Sequence, residues 1–235
     1  MQYIKIKEAI VEQIETGLLT PKQKLPSERQ LAESFATTRV TLREALSLLE
    51  AEGKVYREDR RGWFISPQPL VYDPTQTLNF TRMAQAQGRV PKTELINAQL
   101  VLANKKAAAL LKLAPFSKVY QVDRVRYLDG RPVVYVTNFI KPELFPNLLD
   151  HDLSQSLTGI YRQHYQHHYQ KIRYRVGASS LLGEVAQALR ATSGTPATLV
   201  ERVNFNAQGD LMDCDLEYWR HDAMCIESVA EFGGE

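Results

Sequence analysis

The sequence predicts an α+β chain in two parts: N-terminal helices closed by a hairpin, then a mainly antiparallel sheet with helices. Three observations predict it. Apolar residues recur at helical spacing as far as Glu52. Two short strand-like runs then flank a charged turn. Beyond residue 77, strand-like runs alternate with short helical segments.

The first helix is expected from about Gln2 to Thr16, with Ile6, Ile10, Val11 and Ile14 on one stripe and Gly17 as its stop. Pro21 and Pro26 bracket a basic loop. Ser27 has the character of an N-cap, with Glu28 in the first turn, for a helix to about Phe35. Ala36-Thr37-Thr38 makes a turn, and a third helix continues to Glu52, stopped by Gly53. Lys54–Arg57 and Gly62–Ile65 then form a hairpin around Glu58-Asp59-Arg60-Arg61. In that order the elements make a winged helix-turn-helix.

Ser66-Pro67-Gln68-Pro69 and Asp73-Pro74 mark a linker, because proline discourages both helix and central strand. The expected division is therefore 1–66, a linker 67–77, and a second domain 78–235. Strands are expected at Leu95–Leu102, Val119–Tyr127, Lys171–Val176, Ala197–Asn206 and Leu211–Trp219. Another, Arg131–Phe139, follows the hairpin signal Asp129-Gly130. Helices fit Lys105–Leu113, Ser156–Tyr165 and Gly183–Arg190.

The bulk numbers bound the function less than the local ones. The chain has 235 residues, 44% of them hydrophobic, and a net charge of +2, which alone points to no polyanion. The charge is gathered instead. From Lys22 to Arg43 the bases Lys22, Lys24, Arg29, Arg39 and Arg43 outnumber Glu28 and Glu33. Lys54, Arg57, Arg60 and Arg61 likewise outnumber Glu58 and Asp59, so positive charge lies where phosphates would be met. Cys214 and Cys225 make neither a metal spacing nor a disulfide framework. The N-terminal stretch is an amphipathic helix rather than a signal peptide, and no apolar run approaches membrane-spanning length. The expectation is a reducing, cytoplasmic compartment, without membrane contact, cofactor or bound metal. His164 and His168 can share a helical face, but no carboxylate or cysteine completes a ligand set, and Tyr161, Tyr165 and Tyr169 fit an aromatic face equally well.

On the third helix Leu42, Ala45, Leu46 and Leu49 form the inward stripe, while Arg39, Val40, Arg43 and Ser47 turn away from it. An arginine fork binds guanine O6 and N7 bidentately, and threonine offers a hydroxyl to phosphate or a methyl to thymine. Residues at the front of a recognition helix come closest to the bases, which makes Arg39 the first choice for base readout. Arg29, Thr38, Thr41 and Arg43 are candidates for bases or phosphates, and Arg60, Arg61 and Gly62 at the wing tip for the minor groove or backbone.

The stretch LPSERQLAESFATTRVTLREALSLLEAEG, Leu25 to Gly53, resembles the DNA-binding signature of GntR-type bacterial transcription regulators. That resemblance implies DNA contacts at Arg29, Thr38, Arg39, Thr41, Arg43 and the wing around Gly62. Val40 departs from the threonine that many members carry there, which bears on operator preference.

The later segments Val122–Tyr127, Leu128–Pro132 and Leu216–Asp222 resemble the UTRA effector domain of the HutC branch, from about Leu78 onward. Arg124 and Arg126 are two residues apart and so share one face of a strand, where two guanidiniums suit a phosphate, phosphonate or carboxylate. The helix start at Ser156 and Thr158 adds N–H groups to such a cradle. The resemblance implies that Arg124, Arg126 and Ser156 hold the anionic group, and that Glu217, Tyr218 and Arg220, with Asp222, border the same pocket. Cross-strand ion pairing of the arginines with Glu201 or Glu217 is the alternative.

The hairpin Glu58–Phe64, the linker Asp73–Gln76 and Glu217–Asp222 also resemble regulators of 2-aminoethylphosphonate degradation, whose ligand joins a phosphonate to an ammonium. A phosphosugar or urocanate is the other effector class. The UTRA fold is similar to that of chorismate lyase, but no nucleophile–base pair or paired acid and base stands out, so no catalytic residue is expected. A DNA-packaging protein would not need the second domain. The expectation is a homodimeric, ligand-responsive repressor on palindromic duplex DNA, its winged domains shifted by the effector through the linker.

Overall fold

The computed structural model describes residues 1–76 and 79–229. In chain order its N-terminal elements are α1 (Gln2–Glu15), α2 (Glu28–Ser34), α3 (Arg39–Ala51), β1 (Val55–Glu58), β2 (Gly62–Ile65) and β3 (Leu70–Tyr72). There follow α4 (Phe80–Ala86), β4 (Pro91–Leu102), α5 (Lys105–Leu111), β5 (Lys118–Leu128) and β6 (Arg131–Ile140). After a 3-10 turn at Leu148–Asp150 come α6 (Leu157–Tyr165), β7 (Lys171–Ser180) and α7 (Gly183–Ala188). The last strands are β8 (Pro196–Phe205), β9 (Leu211–Arg220) and β10 (Met224–Ile226).

These elements gather into two compact units, and the units do not follow the linear boundaries that the prolines suggest. One contains Met1–Tyr72 together with Leu181–Pro196 and the segment from Arg220 onward; the other contains Asp73–Ser180 and Ala197–Trp219.

In the first unit Ser27 and Gln30 cap α2 reciprocally. The Gln30 N–H donates to Ser27 Oγ at 3.3 Å, and the Ser27 N–H donates to Gln30 Oε1 at 3.0 Å. Thr38 Oγ1 caps α3 by accepting from the Thr41 N–H at 3.2 Å. The stripe Leu42, Ala45, Leu46 and Leu49 is wholly buried against Ile6 and Ile10 of α1, Leu31 of α2, and Val55, Trp63 and Ile65 of the hairpin. Each such leucine stabilises the unit by about 1.5–3 kcal/mol. In the wing, Val55 pairs with Ile65 and Glu58 with Gly62. Gly62 sits at φ +104°, a conformation only glycine adopts without strain, which lets the chain re-enter β2.

The proline-marked linker holds a strand. Leu70, Val71 and Tyr72 pair in parallel with Met224, Cys225 and Ile226. Leu70 and Tyr72 are buried, and Pro67, Pro69 and Pro74 stand outside the strand, so they delimit it without costing a ladder bond.

The second unit is built on a six-stranded sheet in the order β4-β5-β6-β9-β8-β7, antiparallel through β4, β5, β6 and β9. Asp129 and Gly130 turn β5 into β6 with both φ angles positive, as a two-residue hairpin requires. One cluster packs Val122 and Met212 with Phe145, Leu157, Ile160 and Tyr161. Another packs Val119, Cys214 and Leu216 with Ala107 and Leu111 of α5. Helix α4, capped by Asn79 and burying Phe80, Met83 and Ala84, has no counterpart among the elements expected from the sequence. Among the described residues no helix is long and apolar enough to cross a membrane.

Candidate DNA-reading face and effector site

Arg39 and Val40 open α3 and both are exposed, Val40 at 68% despite its apolar side chain. Arg43, one turn on, is tied down: its Nε donates to Glu28 Oε2 at 2.8 Å. Glu28 Oε1 accepts from Trp63 Nε1 at 3.2 Å, so one carboxylate joins α2, α3 and the wing. Burial works against that charge, but the Trp63 and Arg43 hydrogen bonds outweigh it and hold the Glu28 carboxyl below its usual range. Arg29 lies 3.5 Å from Glu33 on the exposed side of α2. The hydroxyls of Thr38 and Thr41 are 3.1 Å apart, so both are partly spent on each other at the start of α3.

At the wing tip the Arg60 side chain is 93% exposed, with Asp59 at 3.8 Å. Arg61 is hydrogen bonded to Glu58 and lies over the Phe64 ring, 5.8 Å from its centroid. The structure thus carries Arg29, Thr38, Arg39, Thr41, Arg43, Arg60, Arg61 and Gly62 on α2, the front of α3 and the wing of a single compact unit.

In the second unit Arg124 is 3% exposed. It donates to Asn138 Oδ1 at 2.7 Å and to the Gln155 carbonyl at 3.2 Å, while its Nε is buried without a hydrogen-bond partner. Burial, and after it the like charge of Arg126, lower its pKa to about 10, so it stays cationic at neutral pH. Arg126 lies 3.7 Å from Glu217 and stands over the Phe80 ring at 5.2 Å. Ser156 caps α6 by accepting from the Gly159 N–H at 3.3 Å, and it lies 2.8 Å from the Thr158 hydroxyl. Asn79 Nδ2 donates to Ser156 Oγ at 3.3 Å.

The acids and arginines form a network that is larger than the sequence reading foresaw. Asp213, Asp215 and Glu217 recur at every second residue of β9 and are all buried. Asp215 accepts from Asn138 and lies 3.6 Å from Arg202. Asp213 Oδ2 accepts from Tyr161 at 3.0 Å and Tyr169 at 2.6 Å, leaving Oδ1 buried without a partner. Burial first, and Asp215 second, push the Asp213 carboxyl up to about 7. The signal was present: three acids at period two in a strand where they alternate with Met212, Cys214, Leu216 and Tyr218.

Glu217 is 1% exposed and already engaged by Trp219 Nε1 at 2.9 Å and Arg202 at 3.4 Å, as well as by Arg126. The ion pair weighed as the alternative for Arg126 is therefore present in this structure. Tyr218 packs with the Cys214 and Leu216 cluster, on the sheet face opposite Glu217. Arg220 belongs to the first unit, where its guanidinium donates to the Arg57 carbonyl at 2.8 Å. His164 and His168 do not share a helical face, because α6 ends at Tyr165; His164 lies against His151 in a tilted pair, with ring centroids 4.3 Å apart. An open cavity of about 340 Å³ along α6 is lined by His151, Asp152, Gln155, Ser156 and residues of the helix, but not by Arg124 or Arg126.

The model for bacterial regulatory proteins of the gntR family matches residues 2–65, and the UTRA domain model matches residues 86–224. The HTH-type transcriptional regulator YihL of Escherichia coli K12 is 32% identical over 93% of this chain and 93% of its own. The HTH-type transcriptional repressor NagR of Bacillus subtilis is 30% identical over 94% of this chain and 90% of its own. The crystal structure of PhnF from Mycobacterium smegmatis superposes with a TM-score of 0.67 at 22% identity, over 96% of this chain and 99% of that one.

Proposed function

Because this chain belongs to the gntR family of bacterial regulatory proteins and carries a UTRA domain, we propose that it is a ligand-released repressor of a palindromic operator. It is a transcription regulator of that type, and its relative NagR is named a repressor. The observation that carries the DNA reading is the front of α3. Arg39 stands exposed beside an exposed valine, while the opposite stripe of the same helix is wholly buried. An arginine fork for guanine and an apolar side chain for a thymine methyl make a major-groove pair. Arg29, Thr38, Thr41 and Arg43 fix the register, and Arg60, Arg61 and Gly62 bring the wing to the backbone or minor groove. A homodimer presents this face twice, matching the two halves of the operator.

The effector is a small anion taken up by Arg124 and Arg126 with the α6 start at Ser156 and Thr158. Its oxygens replace the Gln155 carbonyl on Arg124 and meet the buried Nε. Glu217 acts through Arg126 and Arg202 rather than on the ligand directly, and Tyr218 and Arg220 support the strand that carries it. For 2-aminoethylphosphonate, the ammonium pairs with an acid of the β9 row. The ligand acts by binding the DNA-incompetent state more tightly. A thermal-shift screen of phosphonates, phosphosugars and imidazole carboxylates tests this reading. A phosphonate, phosphosugar or imidazole carboxylate that raises the melting temperature and releases duplex DNA supports it; no stabilisation by any of these anions removes it.

A further inference from the structure

The last residues of β9 and the turn after it grip the DNA-reading unit by its backbone. Arg220 is 1% exposed and donates to the Arg57 carbonyl of β1 at 2.8 Å and to the Leu189 carbonyl at the end of α7 at 3.0 Å. Its guanidinium stands over the Tyr56 ring at 5.5 Å. Asp222 accepts from Ser66 Oγ at 3.1 Å, just past the wing. The Asp59 N–H at the wing turn donates to the Arg190 carbonyl at 2.8 Å. His221 sits between two carbonyl oxygens. Its Nδ1 is 3.0 Å from the Pro196 carbonyl, and its Nε2 meets the carbonyl of Glu50 in the last turn of α3.

Carbonyl oxygens only accept hydrogen bonds, so the imidazole satisfies both only when each nitrogen carries a proton. The last turn of α3 has no basic residue of its own. A cation at a helix C-terminus stabilises it through the macrodipole. His221 reaches that end from the turn after β9, 171 residues away in sequence, and only its doubly protonated form is such a cation. The charged groups that act at this spot are the Glu50 side chain of α3, Arg220 and Asp222. The backbone of β8 adds the Pro196 carbonyl, and the end of α7 adds that of Leu189.

We propose that Arg220, His221 and Asp222 are positioning residues for DNA binding, and that His221 makes their hold on the recognition helix and wing depend on its second proton. Losing that proton turns one N–H into a lone pair facing a carbonyl, which loosens the end of α3 and, through it, the presentation of Arg39. The proposal rests on the DNA reading above and adds to it a pH dependence and a mechanical seat.

The test uses the full chain and a duplex enriched by the wild-type protein from a random-sequence pool at pH 6. Binding is followed by fluorescence anisotropy at fixed ionic strength from about pH 6 to 8.5, the range in which histidine characteristically changes charge. Wild-type affinity is expected to fall about three- to tenfold across the range. His221→Gln, half-exposed and so tolerant of substitution, should bind more weakly at pH 6 and lose that extra slope. Arg39→Ala should weaken binding at every pH while keeping the slope, which separates the seat from the reader. In the wild type alone, amide exchange corrected for its intrinsic pH dependence should quicken over residues 47–58 as pH rises. A His221→Gln profile parallel to wild type, or exchange in 47–58 that does not respond to pH, overturns the proposal. A wild-type chain that enriches no duplex overturns the DNA reading and this proposal with it.

Discussion

The Glu28 carboxylate accepts a hydrogen bond from Trp63 Nε1 at 3.2 Å, joining the first turn of α2 to the wing. The same carboxylate holds Arg43 of α3. Removing it leaves an indole N–H of a 5%-exposed tryptophan without its acceptor. Glu28→Ala is therefore expected to cost about 1–3 kcal/mol, read as a lowered urea midpoint. Because the folded carboxyl is held below its usual range, its contribution is present above the unfolded value and lost as pH falls through the folded one. The stability gap between wild type and Glu28→Gln should accordingly close on acidification. A gap that persists at pH 2 would count against the pairing.

Arg39→Ala should weaken binding to the enriched duplex by about 1–3 kcal/mol and relax the preference for one base pair per half-site. Its side chain is exposed, so the melting temperature should stay within about a degree of wild type. Undiminished affinity would reassign base readout to its neighbours.

Arg124→Ala should abolish the response to an anionic effector while leaving duplex binding in place. The variant also leaves Asn138 Oδ1 and the Gln155 carbonyl without their buried donor, at a cost of about 1–3 kcal/mol. The decisive readout is ligand-induced stabilisation, about 2.7 kcal/mol at a hundred times Kd for a single site. A variant that folds and is still stabilised by the wild-type ligand would place the anion elsewhere.

Asp213 predicts an unusual pH trend. Its folded pKa, about 7, lies above the ordinary aspartate value, so the folded state holds the proton more tightly than the unfolded chain. Stability from this group is complete below about pH 4 and is lost as pH rises through about 7, at up to about 1.4 kcal/mol per unit. Asp213→Asn keeps an acceptor for Tyr161 and Tyr169 and removes that loss. Relative to wild type, the variant should gain in urea midpoint from pH 5 to pH 8; equal midpoints at both would show that the carboxyl is ionised throughout.

Much of the DNA-reading unit was legible in the sequence because its determinants are local. Ser27 sits where a cap must sit, the leucine stripe of α3 recurs at helical spacing, and the charged turn at Glu58–Arg61 falls between two strand-like runs. The strands of the second unit were legible for the same reason, by period two and by Asp129-Gly130. The helix at Phe80–Ala86 and the strand at Leu70–Tyr72 were not, because each is short and owes its existence to what it packs against. The tertiary structure alone decided that Arg220 bonds the Arg57 carbonyl, 163 residues away. It alone decided, too, that Glu217 is spent on arginines and a tryptophan, and that Asp213 and Asp215 share one buried network with two tyrosines. Local propensity encodes turns, caps and faces. Which distant backbone a buried charge must satisfy depends on chain segments that meet only on folding, since an uncompensated charge in the interior costs more than any local preference supplies.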